Sequence, residues 1–300
     1  MKNDNGWRAS YAARAAGRVF NKAAPYLPPF LVRRVNYLLS DWVYVPEGWR
    51  AQHPEMKGWS DPGVAEAVTQ HWPTLVRNLQ GPGPLGLAHF PWSITRDEPG
   101  YHNAMMSYGY VLARAARNKE SISLLDWGGG AGHYNLYSKA LLPEVGIEYH
   151  CYDVPSLCEV GRKLQPDVHF HHDATELAGK QFDLVISSSA LHYFEDWQSV
   201  LRQLAGATGD FLYLARLQVV TQSPSFVVEQ RPYRPGYYTQ CLSWFLNRRE
   251  VVSSAEEAGL ELVREFVYLE RWAVRGAPEK QEGRGFLFRR RRTGTVGVST

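Results

Sequence analysis

Cysteine is scarce in this sequence, with three residues among 300, and an odd number without metal-type spacing argues against a disulfide framework and a cysteine metal site. Cys151, Cys158 and Cys241 therefore indicate a reducing compartment. The chain also lacks an apolar run of about eighteen residues, which argues against a transmembrane span. No apolar block of a secretory signal opens the sequence. We expect a cytoplasmic protein that is long enough to bury a substantial core.

A strong net charge is absent as well, because 33 Lys and Arg residues are balanced by 30 Asp and Glu residues. We expect no nucleic-acid partner. The basic residues are nevertheless uneven, with seven in residues 1–40 against a single acid, Asp4, and a run of four arginines at 289–292. Solvated surface is the favoured interpretation of such runs. Weak peripheral contact between the basic N-terminal arm and an acidic membrane surface is the alternative.

The pattern of apolar residues divides the chain near residue 118. Residues 1–118 read as helical segments broken by Pro and Gly, and Asp61 with Pro62 marks one helix start. From residue 121, strand-like and helix-like segments alternate, which predicts a parallel sheet covered on both faces. We therefore predict an α/β fold with a doubly wound, mostly parallel sheet in residues 119–293 and a helical N-terminal cap in residues 1–118. Ligands of such sheets bind at the carboxyl ends of the strands.

Glycine is concentrated at the end of the first predicted strand, in LLDWGGGAGHYNLY at residues 124–137. Glycine weakens strands and helices, so this cluster indicates a backbone that a ligand approaches closely, beside the positive end of a helix dipole. The spacing is D-x-G-x-G-x-G, formed by Asp126, Gly128, Gly130 and Gly132. The G-x-G-x-x-G spacing of dinucleotide-binding loops is not met, which leaves that interpretation a poor second.

At these residues the chain resembles the class I S-adenosylmethionine-dependent methyltransferases, with LLDWGGGAG matching the first motif of that family. The resemblance covers residues 121–270. The whole chain, including GWSDP and YHNAMMSYGY, is similar to a bacterial group of methyltransferases associated with polysaccharide and other surface-glycan gene neighbourhoods. The resemblance implies a Rossmann-like sheet and S-adenosyl-L-methionine as the cofactor.

The resemblance also assigns roles to residues after the later strands. Asp153 would bind the ribose hydroxyls, and Asp173 the adenine amino group, with a backbone N–H from Ala174 to the adenine ring. For both acids a helix cap is the alternative role. In the fourth motif, FDLVISSSALHYFEDW, Ser188 and Leu191 would line the cofactor site beside the reactive methyl group.

Catalysis needs a general base if the acceptor is an alcohol, and His192 in the fourth motif is the first candidate. A role in the pocket wall is its alternative. Serines stand at residues 187–189, where a metal-assisted methyltransferase would have carboxylate ligands, so we expect no metal dependence. The HFHH segment places His169 and His171 on one face of a strand and His172 on the other, and we interpret these histidines as structural or surface residues.

A long segment follows the fifth predicted strand, and its aromatic residues predict an ordered lid at 221–247 that binds the acceptor. The predicted acceptor residues are Tyr233, Tyr237, Tyr238 and Trp244, and a packed edge over the core is the alternative. We therefore expect O-methylation of a sugar-like or other small-molecule hydroxyl, or of a glycan. The alternatives are an N-methyltransferase, an NAD(P)-dependent oxidoreductase and a non-catalytic adapter on this fold.

Overall fold

The structure is a computed structural model that describes residues 40–54, 56–83, 85, 99–231, 239–268 and 270–291, with Pro28 and Leu31. Within these residues, no helix combines the length and the apolar character that crossing a bilayer requires. The basic N-terminal arm of residues 1–39 falls almost wholly outside the described residues, as do Tyr233, Tyr237 and Tyr238.

Eleven strands in the described residues join into one sheet. In chain order they are β1 (Trp42–Tyr44), β2 (Ser121–Trp127), β3 (Gly146–Tyr152), β4 (His169–His171), β5 (Phe182–Ser188), β6 (Thr208–Val220), β7 (Phe226–Gln230), β8 (Cys241–Asn247), β9 (Leu260–Val267), β10 (Val274–Arg275) and β11 (Glu282–Arg290).

Six α-helices are described: α1 (Pro62–Leu79), α2 (Pro99–Ala115), α3 (His133–Leu141), α4 (Pro155–Leu164), α5 (Trp197–Ala207) and α6 (Arg248–Glu257). Short polar side chains fix the starts of three of them. Asp61 accepts a hydrogen bond from the N–H of Gly63 at 2.9 Å and so begins α1, as its sequence predicts. Asp196 begins α5 and Asn247 begins α6 in the same way.

The central five strands are parallel in the order β4-β3-β2-β5-β6, which confirms the predicted doubly wound sheet. Beyond β6 the sheet continues with β11 and then β9, both antiparallel pairings. The strand order agrees with the Rossmann-like sheet that the resemblance implies, and the order in which the strands are added reverses between β2 and β5. This reversal opens a crevice at the carboxyl ends of the strands, where ligands of such sheets bind.

A second group of strands branches from the far end of β6 in the order β10-β1-β7-β8. β8 pairs with the last two residues of β6, Val219 and Val220, and β7 and β8 form an antiparallel pair. Much of the described part of the segment 221–247, for which the sequence predicts a lid, forms the sheet strands β7 and β8, which agrees with the alternative of a packed edge. The N-terminal region also differs from the expected helical cap, because β1 inserts between β7 and β10.

The core has two layers, one on each face of the central sheet, because successive side chains of a strand point to opposite faces. On β2, Leu124 packs with buried residues of α1 and α2 on one face. Its neighbour Leu125 packs with Trp197 of α5 and Val251 of α6 on the other. Both faces of the strands are apolar, as expected for a parallel sheet covered by helices.

Candidate active site

The glycine loop after β2 is so tightly packed that side chains cannot be accommodated at its first residues. Gly128 has φ +77°, and a Cβ atom there would lie 2.2 Å from the Cβ of Ala190, at the end of β5. At Gly129 a Cβ atom would lie 2.3 Å from Oδ2 of Asp126. The backbone thus runs directly against the loop after β5, and residues 128–130 line a cleft.

Asp153, immediately after β3, binds this loop and also faces the cleft. Its Oδ2 accepts a hydrogen bond from the N–H of Gly130 and its Oδ1 from the N–H of Val154, each at 2.7 Å. Its partial enclosure raises the pKa of Asp153 to about 6, although the two backbone donors oppose the shift. The acid is therefore held in one orientation and keeps lone pairs toward the cleft, as a ligand with two adjacent hydroxyls requires.

The cleft has a volume of about 360 Å³, and we group the residues that line it into two halves. The first, the glycine-loop half, is formed by residues 128–130, 152–155, His133, Leu157 and His172, with Val64 and Val68 of α1 over it. The second, the aromatic half, is formed by Trp59, Tyr134, residues 188–190, Tyr193, Phe194, Arg216 and Gln230. The two halves meet where Gly128 contacts Ala190.

Four of the predicted cofactor residues, Gly128, Gly130, Asp153 and Ser188, meet in this cleft. Asp126 instead lies fully buried beneath the loop, where it accepts a hydrogen bond from the Tyr149 hydroxyl. Burial, opposed by that hydrogen bond, raises the pKa of Asp126 to about 7. Gly132 is the N-cap of α3 in a left-handed conformation. Asp126 and Gly132 therefore support the glycine loop from the protein interior and do not line the cleft.

Asp173 and Ala174 stand outside the residues that line the cleft. The carboxylate of Asp173 accepts a hydrogen bond from the N–H of Thr175 at 2.9 Å and caps the short 3-10 helix Ala174–Leu177. This is the alternative role that the sequence left open for Asp173. The neighbouring His172 does line the glycine-loop half.

His192 is buried in the 3-10 turn Leu191–Tyr193 and retains 1% of its surface, and Leu191 beside it is fully buried. Burial, together with the charge of Arg216, lowers the pKa of His192 to about 3. Its Nδ1 has no hydrogen-bond partner among the described residues. Neither His192 nor Leu191 lines the cleft, whereas Tyr193 does. The centroids of the His192 and Tyr193 rings lie 4.3 Å apart.

The aromatic half also contains a buried cation, Arg216, that sequence reasoning missed. Its Nε donates to Oε1 of Glu270 at 2.7 Å, and its guanidinium lies 5.2 Å from the centre of the Tyr101 ring. Arg216 has φ +53° inside β6, a conformation that costs a non-glycine residue free energy and is concentrated at functional sites. A charged residue inside the apolar DFLYLARLQVV segment is the signal that could have indicated it.

Two side-chain hydrogen bonds hold the rest of this half. The Tyr193 hydroxyl donates to Oε1 of Gln230 at 2.6 Å, joining the turn after β5 to β7. The Tyr134 hydroxyl and the Ser188 hydroxyl lie 2.8 Å apart and join α3 to the end of β5. The predicted acceptor residue Trp244 is half-buried instead, and its Nε1 donates to the backbone oxygen of Glu195 at 3.1 Å. Trp244 does not line the cleft.

Comparison with known proteins assigns a family to this fold and cleft. The sequence model described as a methyltransferase domain matches residues 105–265, which is more than half of the chain. The comparison with curated proteins gave no match.

Solved methyltransferases are similar to the chain at low identity. Magnesium protoporphyrin IX methyltransferase of Synechocystis, crystallised with S-adenosylmethionine, is 13% identical with a TM-score of 0.44, over 76% of this chain and 97% of that one. The 1,6-didemethyltoxoflavin-N1-methyltransferase of Burkholderia thailandensis is 15% identical with a TM-score of 0.44, over 76% and 89%. An S-adenosylmethionine-dependent methyltransferase of Clostridium acetobutylicum is 10% identical with a TM-score of 0.45, over 66% and 94%. Similarity at this level says nothing about the acceptor.

Proposed function

Because this chain belongs to the methyltransferase family and is an S-adenosylmethionine-dependent enzyme, we propose that it methylates a hydroxyl oxygen of a sugar-like or other small-molecule acceptor, without a catalytic metal ion. When bound, the cofactor supplies a methyl group that its sulfonium centre has already activated. The protein then has to hold the acceptor in line with that group and to exclude water.

The glycine-loop half of the cleft suits the cofactor. The loop at residues 128–130 presents backbone without side chains to the cleft, so the cofactor could approach the main chain closely. Asp153, oriented by the backbone of Gly130 and Val154, would accept hydrogen bonds from the ribose hydroxyls. Val64 and Val68 of α1 would cover the bound molecule and exclude water from it.

The aromatic half is left for the acceptor, and this continuation of the cleft is the observation that carries the proposal. Trp59, Tyr193 and Phe194 offer aromatic faces for a sugar-like or flat ring, and Gln230 offers a hydrogen-bonding amide. A small acceptor on these residues would lie beside residues 188–190, at the junction with the glycine-loop half. Serines and alanine at that junction offer no carboxylate ligand for a catalytic metal ion.

His192 remains the base to be tested within this proposal. With a pKa of about 3, its imidazole is neutral at physiological pH and free to accept a proton, but it is a weak base. Its role also depends on an acceptor hydroxyl reaching the ring past Tyr193. If these conditions hold, His192→Ala lowers kcat by about 100-fold and leaves cofactor affinity unchanged.

The decisive experiment identifies the methylated atom. The enzyme is incubated with methyl-labelled cofactor and a panel of sugars, phenols and hydroxy acids, together with amines of matched shape, and the products are located by mass spectrometry and NMR. We expect the label on oxygen. Label found only on nitrogen would replace this proposal with an N-methyltransferase.

Tyr193→Phe provides the matched test of the acceptor position, because it removes one hydroxyl and its bond to Gln230 while keeping the ring. We expect a several-fold higher KM for the acceptor, with the affinity for S-adenosylhomocysteine unchanged in calorimetry. If Tyr193→Phe weakened the binding of the acceptor and of S-adenosylhomocysteine equally, the acceptor would not bind beside Tyr193.

A further inference from the structure

Histidine and glutamate side chains gather away from the cleft, where β3 pairs with the edge strand β4. Glu148 and His150 lie two residues apart on β3, as His169 and His171 do on β4, and His150 is the pairing partner of His169. The alternation of strands therefore sends all four side chains to one face of the sheet. Glu176, from the 3-10 helix after β4, joins them. We call these five residues the His–Glu cluster.

A continuous chain of contacts links four members of the His–Glu cluster. Oε1 of Glu148 lies 3.1 Å from Nε2 of His150, and Nδ1 of His150 lies 3.0 Å from Nε2 of His171. Nδ1 of His171 then lies 2.9 Å from Oε2 of Glu176. The ring of His169 stacks on that of His150 with 4.6 Å between centroids. His150 and His171 are buried, whereas Glu148 and His169 are exposed.

The three contacts of this chain have more places for hydrogen-bond donors than two neutral imidazoles fill. An ionised carboxylate only accepts hydrogen bonds, so Nε2 of His150 and Nδ1 of His171 would each need a proton. The contact between the two rings needs a third. Two neutral imidazoles carry only two protons between them, so all three contacts are satisfied only when a cation is added to the chain.

We propose that this cation is a divalent metal ion of the zinc class, bound by Glu148, His150 and His169. One ligand atom from each of the three residues lies within 4.8 Å of the other two, which places them around a common centre. A metal ion on Nε2 of His150 replaces the proton that faces Glu148. His150 then donates from Nδ1 to His171, and His171 donates from Nδ1 to Glu176, so that every contact in the chain is satisfied by neutral rings.

The remaining members act as positioning residues. A histidine that binds zinc usually donates its other ring N–H to an acceptor that fixes its tautomer and orientation, and His171 with Glu176 supplies this relay to His150. Imidazole and carboxylate together suit Zn²⁺, Ni²⁺, Cu²⁺ or Co²⁺, whereas Mg²⁺ requires a set of oxygen ligands. Three protein ligands at the surface leave a fourth position for water.

Such an ion would join β3 to a three-residue edge strand whose chain continues directly into His172 at the cleft wall. It would therefore stabilise the wall of the glycine-loop half without taking part in methyl transfer.

The test uses the full-length, untagged protein, stripped with a chelator and titrated with Zn²⁺ in a calorimeter. We expect one Zn²⁺ per chain in wild type, and a loss of affinity of about 100-fold or more in Glu148→Gln and in His169→Ala, because each removes one ligand. Both side chains are exposed, so the variants should fold. His53→Ala and Glu159→Gln, at exposed residues outside the cluster, are the matched controls and should bind like wild type.

Two further measurements separate a built site from adventitious binding. Glu176→Gln, which touches no proposed ligand atom, should weaken Zn²⁺ binding by about 10–100-fold through the relay. Saturating Zn²⁺ should raise the Tm of wild type by about 3–6 °C and that of His169→Ala by none, and Mg²⁺ should have no effect. Absence of Zn²⁺ binding in wild type, or equal binding in Glu148→Gln, His169→Ala and the controls, would overturn the proposal and leave a proton as the added charge.

Discussion

The two halves of the cleft are built in different ways. Most of the glycine-loop half comes from the segments that directly follow β2 and β3, with His172 and two valines of α1 added, and the backbone of one loop binds the acid of the next through Gly130 and Asp153. The aromatic half is assembled from six separate stretches between Trp59 and Gln230. Its contacts, such as Tyr193 with Gln230, span many residues of sequence. The first half is therefore readable as a motif, whereas the second exists only once the sheet has formed.

This difference also separates what each half has to do. The half that we propose for the cofactor is confined by packing, as at Gly128 against Ala190. Acceptors differ, and the half we propose for the acceptor is built from side chains that can be exchanged without rebuilding a loop. Substitutions in the two halves should consequently affect different ligands.

The largest effect is expected where the two halves touch. Gly128→Ala adds a Cβ atom 2.2 Å from that of Ala190, at φ +77°. We expect the affinity for S-adenosylhomocysteine to fall by about 100-fold or more, because the loop must move away from β5 to relieve the overlap. Calorimetry measures this directly.

Gly179→Ala is the matched control, since Gly179 has φ +75° but nothing within 4 Å of an added Cβ atom. It should lower stability by about 1 kcal/mol and leave the affinity intact. Equal losses of affinity in both variants would show that backbone strain, and not the packing of the two halves, controls the loop.

The next effect distinguishes two acids to which the resemblance gives similar roles. Asp153→Asn should weaken binding of S-adenosylhomocysteine by about 10–100-fold, because a charged acceptor in the cleft is lost. Asp173→Asn should leave the affinity unchanged, since Asp173 caps a 3-10 helix and does not line the cleft. If Asp173→Asn weakened the binding of S-adenosylhomocysteine as much as Asp153→Asn does, the cofactor site would include the 3-10 helix that Asp173 caps.

A smaller effect tests the burial of His192 beside the aromatic half. Because its folded pKa of about 3 lies below the usual value, the unfolded chain binds a proton that the folded chain does not as the pH falls from about 6.5 toward 3. Stability is lost over that window. His192→Asn removes this group, so the decrease in the free energy of unfolding between pH 7 and pH 4 should be smaller by about 2–3 kcal/mol in the variant.

The measurement is urea unfolding of wild type and variant at both pH values. The difference between the two proteins is what matters, because Asp126 and Asp153, with raised pKa values of about 7 and about 6, change stability in the opposite direction over the same window. Identical pH dependence in both proteins would mean that His192 is hydrated and within reach of the cleft solvent.

No effect at all is expected from chelation on methyl transfer. With serines at 187–189 and no carboxylate among residues 187–190, EDTA should leave kcat at 25 °C unchanged, even if Tm falls through loss of an ion from the His–Glu cluster. If EDTA abolished turnover and added Mg²⁺ restored it, a catalytic metal ion would have to bind in the aromatic half.

Much of the fold was predictable for a local reason. The alternation of strands and helices after residue 121 predicted β2 to β6. It also predicted that these strands run parallel, because both faces of each strand carry apolar residues. The branch made of β1, β7, β8 and β10 was not predictable, since β1 has three residues, β10 has two, and β1 pairs with strands that lie far along the sequence. Aromatic residues in that segment suggested a lid, although in β7 and β8 they pack as a sheet.

Sequence alone determined the family and the cofactor, because the motif residues that indicate them are neighbours on one loop. Tertiary structure alone decided that Asp126 supports the loop from beneath, that His192 is buried behind Tyr193, and that Arg216 enters the cleft from β6. It also brought Glu148 and His150 on one strand against His169 and His171 on another. Burial and long-range pairing set these positions, and neither is encoded in the spacing of a motif.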